Sequence, residues 1–276
     1  MTGSHEQERL TKRRTFDEAA DRYDRTRPGY PPDLFDDLAA LGDLQSGARV
    51  LEIGCGTGQA TRELARRGYA IVAIDVGENL ARLARRNLGE FPDVEIVVAD
   101  FDTWELPRTP FDAIVAATAF HWLDPATRLS RCAEVLRPGG SLCVIDTDHV
   151  AGGTEQFWID VQDCYRRLDP DAGFRLPAAN MALRPPEELL VGGHFAAVQC
   201  RQYLTDVTYR ASDYIELLTT YSDHLALPHE GLEALLGCVR VLIESLYGGS
   251  VTKRYQFTLR VARKPPSAAA SHSLTT

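Results

Sequence analysis

Glycine occupies every second position of Gly54-Cys55-Gly56-Thr57-Gly58, directly after the apolar run 48–53. A loop with so few side chains lets a ligand approach its backbone. The helix expected after it turns its N–H groups toward that ligand. A dinucleotide loop would read G-x-G-x-x-G/A. Here the third position is Gln59 counted from Gly54, and Thr61 counted from Gly56. Glu52 ends the apolar run. A carboxylate there would repel a pyrophosphate and suit a ligand with a cationic portion. Asp75 follows a second apolar run, 23 residues beyond Glu52. A carboxylate at that point can accept both hydroxyls of a ribose. Asp100 and Phe101 follow a third run; the Asp can accept from an adenine amino group and the Phe can pack on the ring. Together these residues describe a nucleoside that carries a cation in place of phosphates, and S-adenosylmethionine fits that description.

Five elements must place these residues. Runs 48–53, 70–74, 94–99, 111–117 and 141–146 are short, apolar and continuous, and read as strands. Residues 59–67, 77–87 and a stretch from Pro125 to about Leu136 read as helices between them; Asp124 caps the last. Continuous apolar strands alternating with helices predict a parallel sheet covered on both faces, doubly wound by right-handed crossovers. Ligands bind beyond the carboxyl ends of such strands. Those ends carry Glu52, Asp75, Asp100, Thr118 and Asp146. Farther on, 155–168, 186–190, 211–220 and 230–247 read as helical. Residues 195–209 and 251–263 read as strands, the last alternating apolar and basic residues near a sheet edge.

The motifs Glu52-x-Gly54-Cys55-Gly56-Thr57-Gly58, Asp75, Ala99-Asp100-Phe101 and Leu136-Arg137-Pro138-Gly139-Gly140 resemble those of class I S-adenosylmethionine-dependent methyltransferases of the small-molecule (type 11) group. The resemblance implies an α/β fold with a doubly wound, mostly parallel seven-strand sheet of order 3-2-1-4-5-7-6, strand 7 antiparallel. It implies backbone contacts to the methionine part from Gly54, Gly56 and Gly58, with Glu52 positioning that loop and the amino group. Asp75 would hold the ribose, Val76 would lie beside the adenine, and Asp100 and Phe101 would recognise it. The carbonyl of Ala117 or Thr118 would meet the ammonium. Upstream, Phe16-Asp17, Tyr23, Arg27-Pro28 and Tyr30-Pro31 look like the N-terminal cap of enzymes similar to trans-aconitate methyltransferase. There Tyr23 packs either near the sulfonium or as an ordinary helix residue on the sheet. Arg27 meets the methionine carboxylate or stays a solvated charge. His121-Trp122, also found in those relatives, puts an imidazole near the transferred methyl, as a catalytic base or as a structural pair on the pocket floor. His149 and His224 are weaker candidates. His5, His194, His229 and His272 receive no role.

The expected organisation is a flexible tail over 1–15, cap helices over 16–44, a Rossmann-like cofactor core over 45–147, a substrate lid with closing strands over 148–263, and a tail over 264–276. Phe157, Trp158, Tyr165, Phe174, Tyr203, Tyr209, Tyr214 and Tyr221 lie in the lid. About two thirds are expected in the core, the rest lining an apolar pocket. The acceptor is therefore expected to be an apolar or aromatic small molecule of secondary-metabolite type; a hydroxyl acceptor would need a base such as His121. Carboxyl O-methylation would use Arg166, Arg167, Arg175 or Arg184. C-methylation of an alkene through a carbocation, a non-catalytic cofactor-binding module and a nicotinamide-dependent dehydrogenase are the alternatives.

The chain has 276 residues, 44% hydrophobic and 25% charged, which excludes wholly disordered, collagen-like and disulfide-miniprotein descriptions. A net charge of −9 does not favour a phosphate-tracking surface, so no nucleic-acid partner is expected. The polar N-terminus and the lack of a long apolar run give no leader and no membrane span. Cys55, Cys132, Cys143, Cys164, Cys200 and Cys238 form no metal-binding spacing and read as buried reduced thiols of a cytoplasmic protein. No metal is expected, and the oligomeric state is not legible.

Overall fold

The computed structural model describes residues 17, 20–171, 173–184 and 186–266. The expected tail over 1–15, Phe16, and most of the expected C-terminal tail lie outside them. The first elements bounded within the described residues are the helices α1 (Ala20–Thr26) and α2 (Pro32–Gly42). The core then alternates: β1 (Arg49–Ile53), α3 (Gln59–Ala65), β2 (Ala70–Asp75), α4 (Glu78–Asn87), β3 (Val94–Val98) and β4 (Phe111–Ala117). A 3-10 turn (Phe120–Trp122) leads to α5 (Arg128–Val135) and β5 (Leu136–Val150). After β5 come α6 (Glu155–Asp160), α7 (Gln162–Arg166) and a 3-10 segment (Pro186–Gly193). The closing part is β6 (Ala196–Arg210), α8 (Ala211–Leu218), α9 (Ser222–Leu225), α10 (His229–Leu246) and β7 (Ser250–Arg263).

The seven strands form one sheet of order β3-β2-β1-β4-β5-β7-β6, the order the resemblance implies. β1 to β5 pair in parallel, and β7 is antiparallel to both β5 and β6. Alternation along the inner strands feeds two cores. Leu51, Ile114, Ala116, Leu142 and Val144 pack under α5, while Val50, Ala113, Val115, Cys143 and Ile145 pack under α2, α3 and the lid helices. Both faces are thus dry, which is why the central stretches of these strands are apolar on both faces, Glu52 excepted.

Three local readings differ. The helix after Asp124 starts only at Arg128, because the Asp124 carboxylate first closes a tight turn by accepting the N–H of Ala126 at 3.0 Å. β5 begins before Pro138-Gly139-Gly140, with Leu136 in register with Phe111 across a bulge. The basic residues of β7 do not alternate out to solvent: Lys253 and Arg260 are buried, and Arg260 Nη2 donates to Asp146 at 2.8 Å.

One reading is corrected outright. Cys164 and Cys238 form a disulfide, so these two are not reduced thiols. They lie 74 residues apart, and only the packing of α7 against α10 brings them together; no local spacing announces that. Disulfides persist mainly in oxidising compartments, so cysteine usage no longer supports a cytoplasmic setting. Cys55, Cys132, Cys143 and Cys200 are free. Among the described residues no helix is long and apolar enough to cross a membrane, and no group of acidic, His and Cys side chains could hold a metal ion.

Candidate active site

At the carboxyl ends of β1, β2 and β4 the chain borders a cavity of about 710 Å³. The β1–α3 loop turns back on itself by positive φ at Gly54 (+70°), Gly56 (+57°) and Gly58 (+91°). Two of these glycines serve packing. A Cβ on Gly54 would lie 2.5 Å from Ala119 Cβ, and one on Gly58 would lie 2.7 Å from Leu88 Cδ1. Gly56 is different: a Cβ there would meet only Tyr23, at 3.9 Å. Gly54 and Gly56 border the cavity and Gly58 does not.

Asp75 braces the loop. Its Oδ2 accepts the Gly56 N–H and its Oδ1 accepts the Gly77 N–H, both at 2.9 Å. A carboxylate oxygen can accept more than one hydrogen bond, so fastening the loop does not by itself bar the residue from a diol. Val76, Phe101, Ala117 and Thr118 line the same cavity. Asp100 does not. Its Oδ1 accepts the Asp102 N–H at 3.1 Å, which shapes the turn that seats Phe101. Thr118 holds φ at +55°, an outlier for a β-branched residue, and its hydroxyl bonds Tyr30 at 3.2 Å and Thr147 at 3.0 Å. The bend turns the chain sharply where β4 meets the cavity.

Glu52 lies behind the loop, fully buried, with Oε2 lacking any partner among the described residues. Burial pushes its carboxyl up to about 8; the Thr61 hydroxyl pulls it down, and the Asp75 charge adds to the rise. At neutral pH the group is therefore mostly protonated, and Glu52 does not repel a pyrophosphate as its position at the strand end suggests. What remains is an orphaned acid beneath a loop, able to ionise when a cation arrives.

From the cap, Tyr23 and Arg27 reach the cavity. The Arg27 guanidinium sits between two rings, 5.0 Å from the Tyr23 centroid and 4.6 Å from that of Tyr221. Its Nε and Nη2 donate to the Thr220 hydroxyl and carbonyl at 3.1 and 3.0 Å. It is therefore neither a solvated surface charge nor wholly free for a carboxylate. Asp17 fastens the cap to α4 by accepting the N–H of Asn79 at 2.8 Å and of Leu80 at 3.0 Å.

The far side of the cavity is aromatic. Trp158, Tyr165, Phe174, Tyr214 and Tyr221 line it, more of the eight than expected, while Phe157, Tyr203 and Tyr209 do not. His121 lines it, its ring tilted against that of Trp122 with centroids 4.8 Å apart, and burial lowers its pKa with help from Arg184. Burial and then Lys253 push His149 down to about 2, so it stays neutral, and its Nε2 has no partner among the described residues. His224 uses both nitrogens, on Leu218 O at 2.9 Å and Tyr165 Oη at 3.1 Å. Of the arginines considered for a carboxylate, Arg166, Arg167, Arg175 and Arg184 are all absent from the lining; Arg184 pairs with Asp146 and Asp148. Among the described residues two cations line the cavity, Arg27 and Lys253, and sequence reasoning missed Lys253. Its only signal was a basic residue in a strand, and the strand's outward alternation hid it.

Residues 50–140 match the family of methyltransferase domains. The chain is 35% identical over 131 residues to an uncharacterized methyltransferase of Mycobacterium tuberculosis, covering 48% of this chain and 51% of that one. It is 33% identical over 141 residues to an uncharacterized methyltransferase of a Geobacillus species, covering 48% of this chain and 65% of that one. The match thus spans about half the length of the first of these relatives. Among solved structures, a protein assigned as a type II methyltransferase from Anaeromyxobacter dehalogenans superposes with a TM-score of 0.61 at 23% identity, over 87% of this chain and 99% of that one. Phosphoethanolamine N-methyltransferase 2 of Haemonchus contortus, solved with phosphomonomethylethanolamine and S-adenosylhomocysteine, superposes at 0.52 and 18% identity, over 90% of this chain and 57% of that one. At such identities the likeness is one of fold.

Proposed function

With residues 50–140 a methyltransferase domain, we propose that the chain is an S-adenosylmethionine-dependent methyltransferase whose acceptor is an apolar or aromatic small molecule. One observation carries the reading: a single cavity joins the glycine loop, Asp75 and Phe101 at one end to Trp158, Tyr165, Phe174 and Tyr214 at the other. Its volume, about 710 Å³, lies in the range of small-molecule sites. A module that only bound the cofactor would have no need of the aromatic end.

The residues present suit the cofactor. Asp75, Val76 and Phe101 line one end of the cavity and Gly56 is open there; Asp75 would hold the ribose, Val76 and Phe101 the adenine, and the Gly56 backbone the methionine part. Buried Glu52 is poised to take up the charge of an ammonium. When bound, S-adenosylmethionine supplies a methyl group on an activated sulfonium. The protein's part is alignment and exclusion of water: the cap and lid close on the cavity through Arg27 and Thr220, and the aromatic walls hold the acceptor in line. His121 faces the acceptor end as a hydrogen-bond partner. Calorimetric titration with S-adenosylhomocysteine and with NAD tests the reading, with binding expected for the first alone. A mass-spectrometric screen for acceptors that gain one methylene then identifies the product. NAD binding without S-adenosylhomocysteine binding would refute the proposal.

A further inference from the structure

Tyr221 follows α8 and borders both the main cavity and a side chamber of about 160 Å³. Two cations converge on this one phenol. Lys253 Nζ donates to its oxygen at 2.8 Å, since an ammonium can only donate. The Arg27 guanidinium lies 4.6 Å from its ring centroid. Among the described residues neither cation forms an ion pair with a carboxylate. Lys253 is 6% exposed, so its charge is scarcely hydrated. A buried, unpaired ammonium is costly unless a negative charge forms beside it. The Tyr221 oxygen is where one can form.

We infer that Tyr221 is the group that takes the proton from the acceptor as the methyl bond forms, positioned for this by Lys253 and Arg27. The inference rests on the methyltransferase reading above and names the base for an acceptor that bears an O–H or N–H. In that step the acceptor's X–H bond breaks and the proton passes to the Tyr221 oxygen. The X–H electron pair forms the bond to the methyl carbon, and the pair of the breaking carbon–sulfur bond stays on sulfur. One negative charge, on the phenolate, and one positive charge, on sulfur, disappear together. The proton later leaves to solvent through the cavity.

The histidines that line the cavity are less suited. Among the described residues no hydrogen bond orients His121, His149 is too weak a base, and His224 has both nitrogens engaged. The groups facing Tyr221 from the packed elements are Tyr23 on α1 and Arg27 just after it, Lys253 and Tyr255 on β7, His149 on β5 and His224 on α9, with Asp223 also on the cavity wall. Burial raises the Tyr221 phenol, but Lys253, Arg27 and the Tyr255 hydroxyl outweigh it, and the net shift is downward. Burial moves the neighbours Tyr165, Tyr214 and Tyr255 the other way.

The test is a pH titration of the full chain, labelled with ¹³C at the tyrosine ring carbon that bears oxygen, without ligand. One of the ten tyrosines is expected to ionise below the ordinary value of about 10. That signal should vanish in Tyr221→Phe, and its midpoint should rise by about one unit or more in Lys253→Met. If no tyrosine ionises early in the native chain, the inference falls, whether or not the variants fold. It falls equally if the early signal survives in Tyr221→Phe. With an acceptor from the screen, Tyr221→Phe should lose about 10²- to 10⁴-fold in kcat with S-adenosylhomocysteine affinity unchanged; full activity overturns the role. An early tyrosine in a protein that binds no S-adenosylhomocysteine would instead sink the methyltransferase reading, and this role with it.

Discussion

Glu52 and Asp75 stand at the ends of adjacent strands, and the fold treats them differently. The Glu52 carboxyl is pushed from 4.5 up to about 8 by burial. The folded state then binds more protons than the unfolded one between those values. Its contribution to stability is fully present below 4.5 and is lost as pH rises through 8. Urea melts of the native chain and of Glu52→Gln should therefore diverge across that window, with the variant gaining on the native chain at high pH. Parallel curves would mean that Glu52 is not held neutral. A ligand ammonium should draw the proton off, so the enthalpy of S-adenosylhomocysteine binding near neutral pH should depend on the buffer's own ionisation heat, and should cease to do so in Glu52→Gln. Asp75 has two backbone N–H groups to hold. Removing the carboxylate in Asp75→Ala should weaken S-adenosylhomocysteine by about 1–3 kcal/mol, from unpaired loop amides and ribose hydroxyls together. Unchanged affinity would remove Asp75 from the site.

At the scale of elements, the β1–α3 loop has almost no tolerance. Gly54→Ala puts a Cβ 2.5 Å from Ala119 in a residue with φ of +70°. Binding of S-adenosylhomocysteine should fall at least tenfold while the far-ultraviolet spectrum barely changes; equal affinity would show that the loop can shift. This loop was legible in the sequence because only glycine suits such turns. Strands β1, β2, β4 and β5 were legible because both their faces are covered; β3, at the sheet edge and partly exposed, was legible from its apolar run alone. The Tyr221–Lys253 contact was not. It joins the lid to the last strand, and the alternation rule sends every second β7 residue to solvent, whereas the lid covers that face here. Asp100 was placed in the site by its position after β3, yet a turn captured its side chain first.

At the scale of the molecule, the Cys164–Cys238 disulfide spans 74 residues and ties α7 to α10. Closing a loop of that length removes denatured-chain entropy. Reduction, or Cys238→Ser, should cost about 2–4 kcal/mol and lower Tm, checked by calorimetry with and without reductant. An unchanged Tm under reductant would deny the bond its stabilising role. Neither the pairing nor the lid's packing could be read along the chain, since both depend on residues brought together late.

β7 runs between β5 and β6, antiparallel to both. Ribosomal synthesis therefore delivers the strand that joins them after everything it joins. Until residues 250–263 emerge, β5 and β6 both lack the strand that pairs with them here. A nascent chain in that condition is a template for pairing with its neighbours, and slow translation of the codons between β6 and the end of β7 would lengthen its exposure to chaperones.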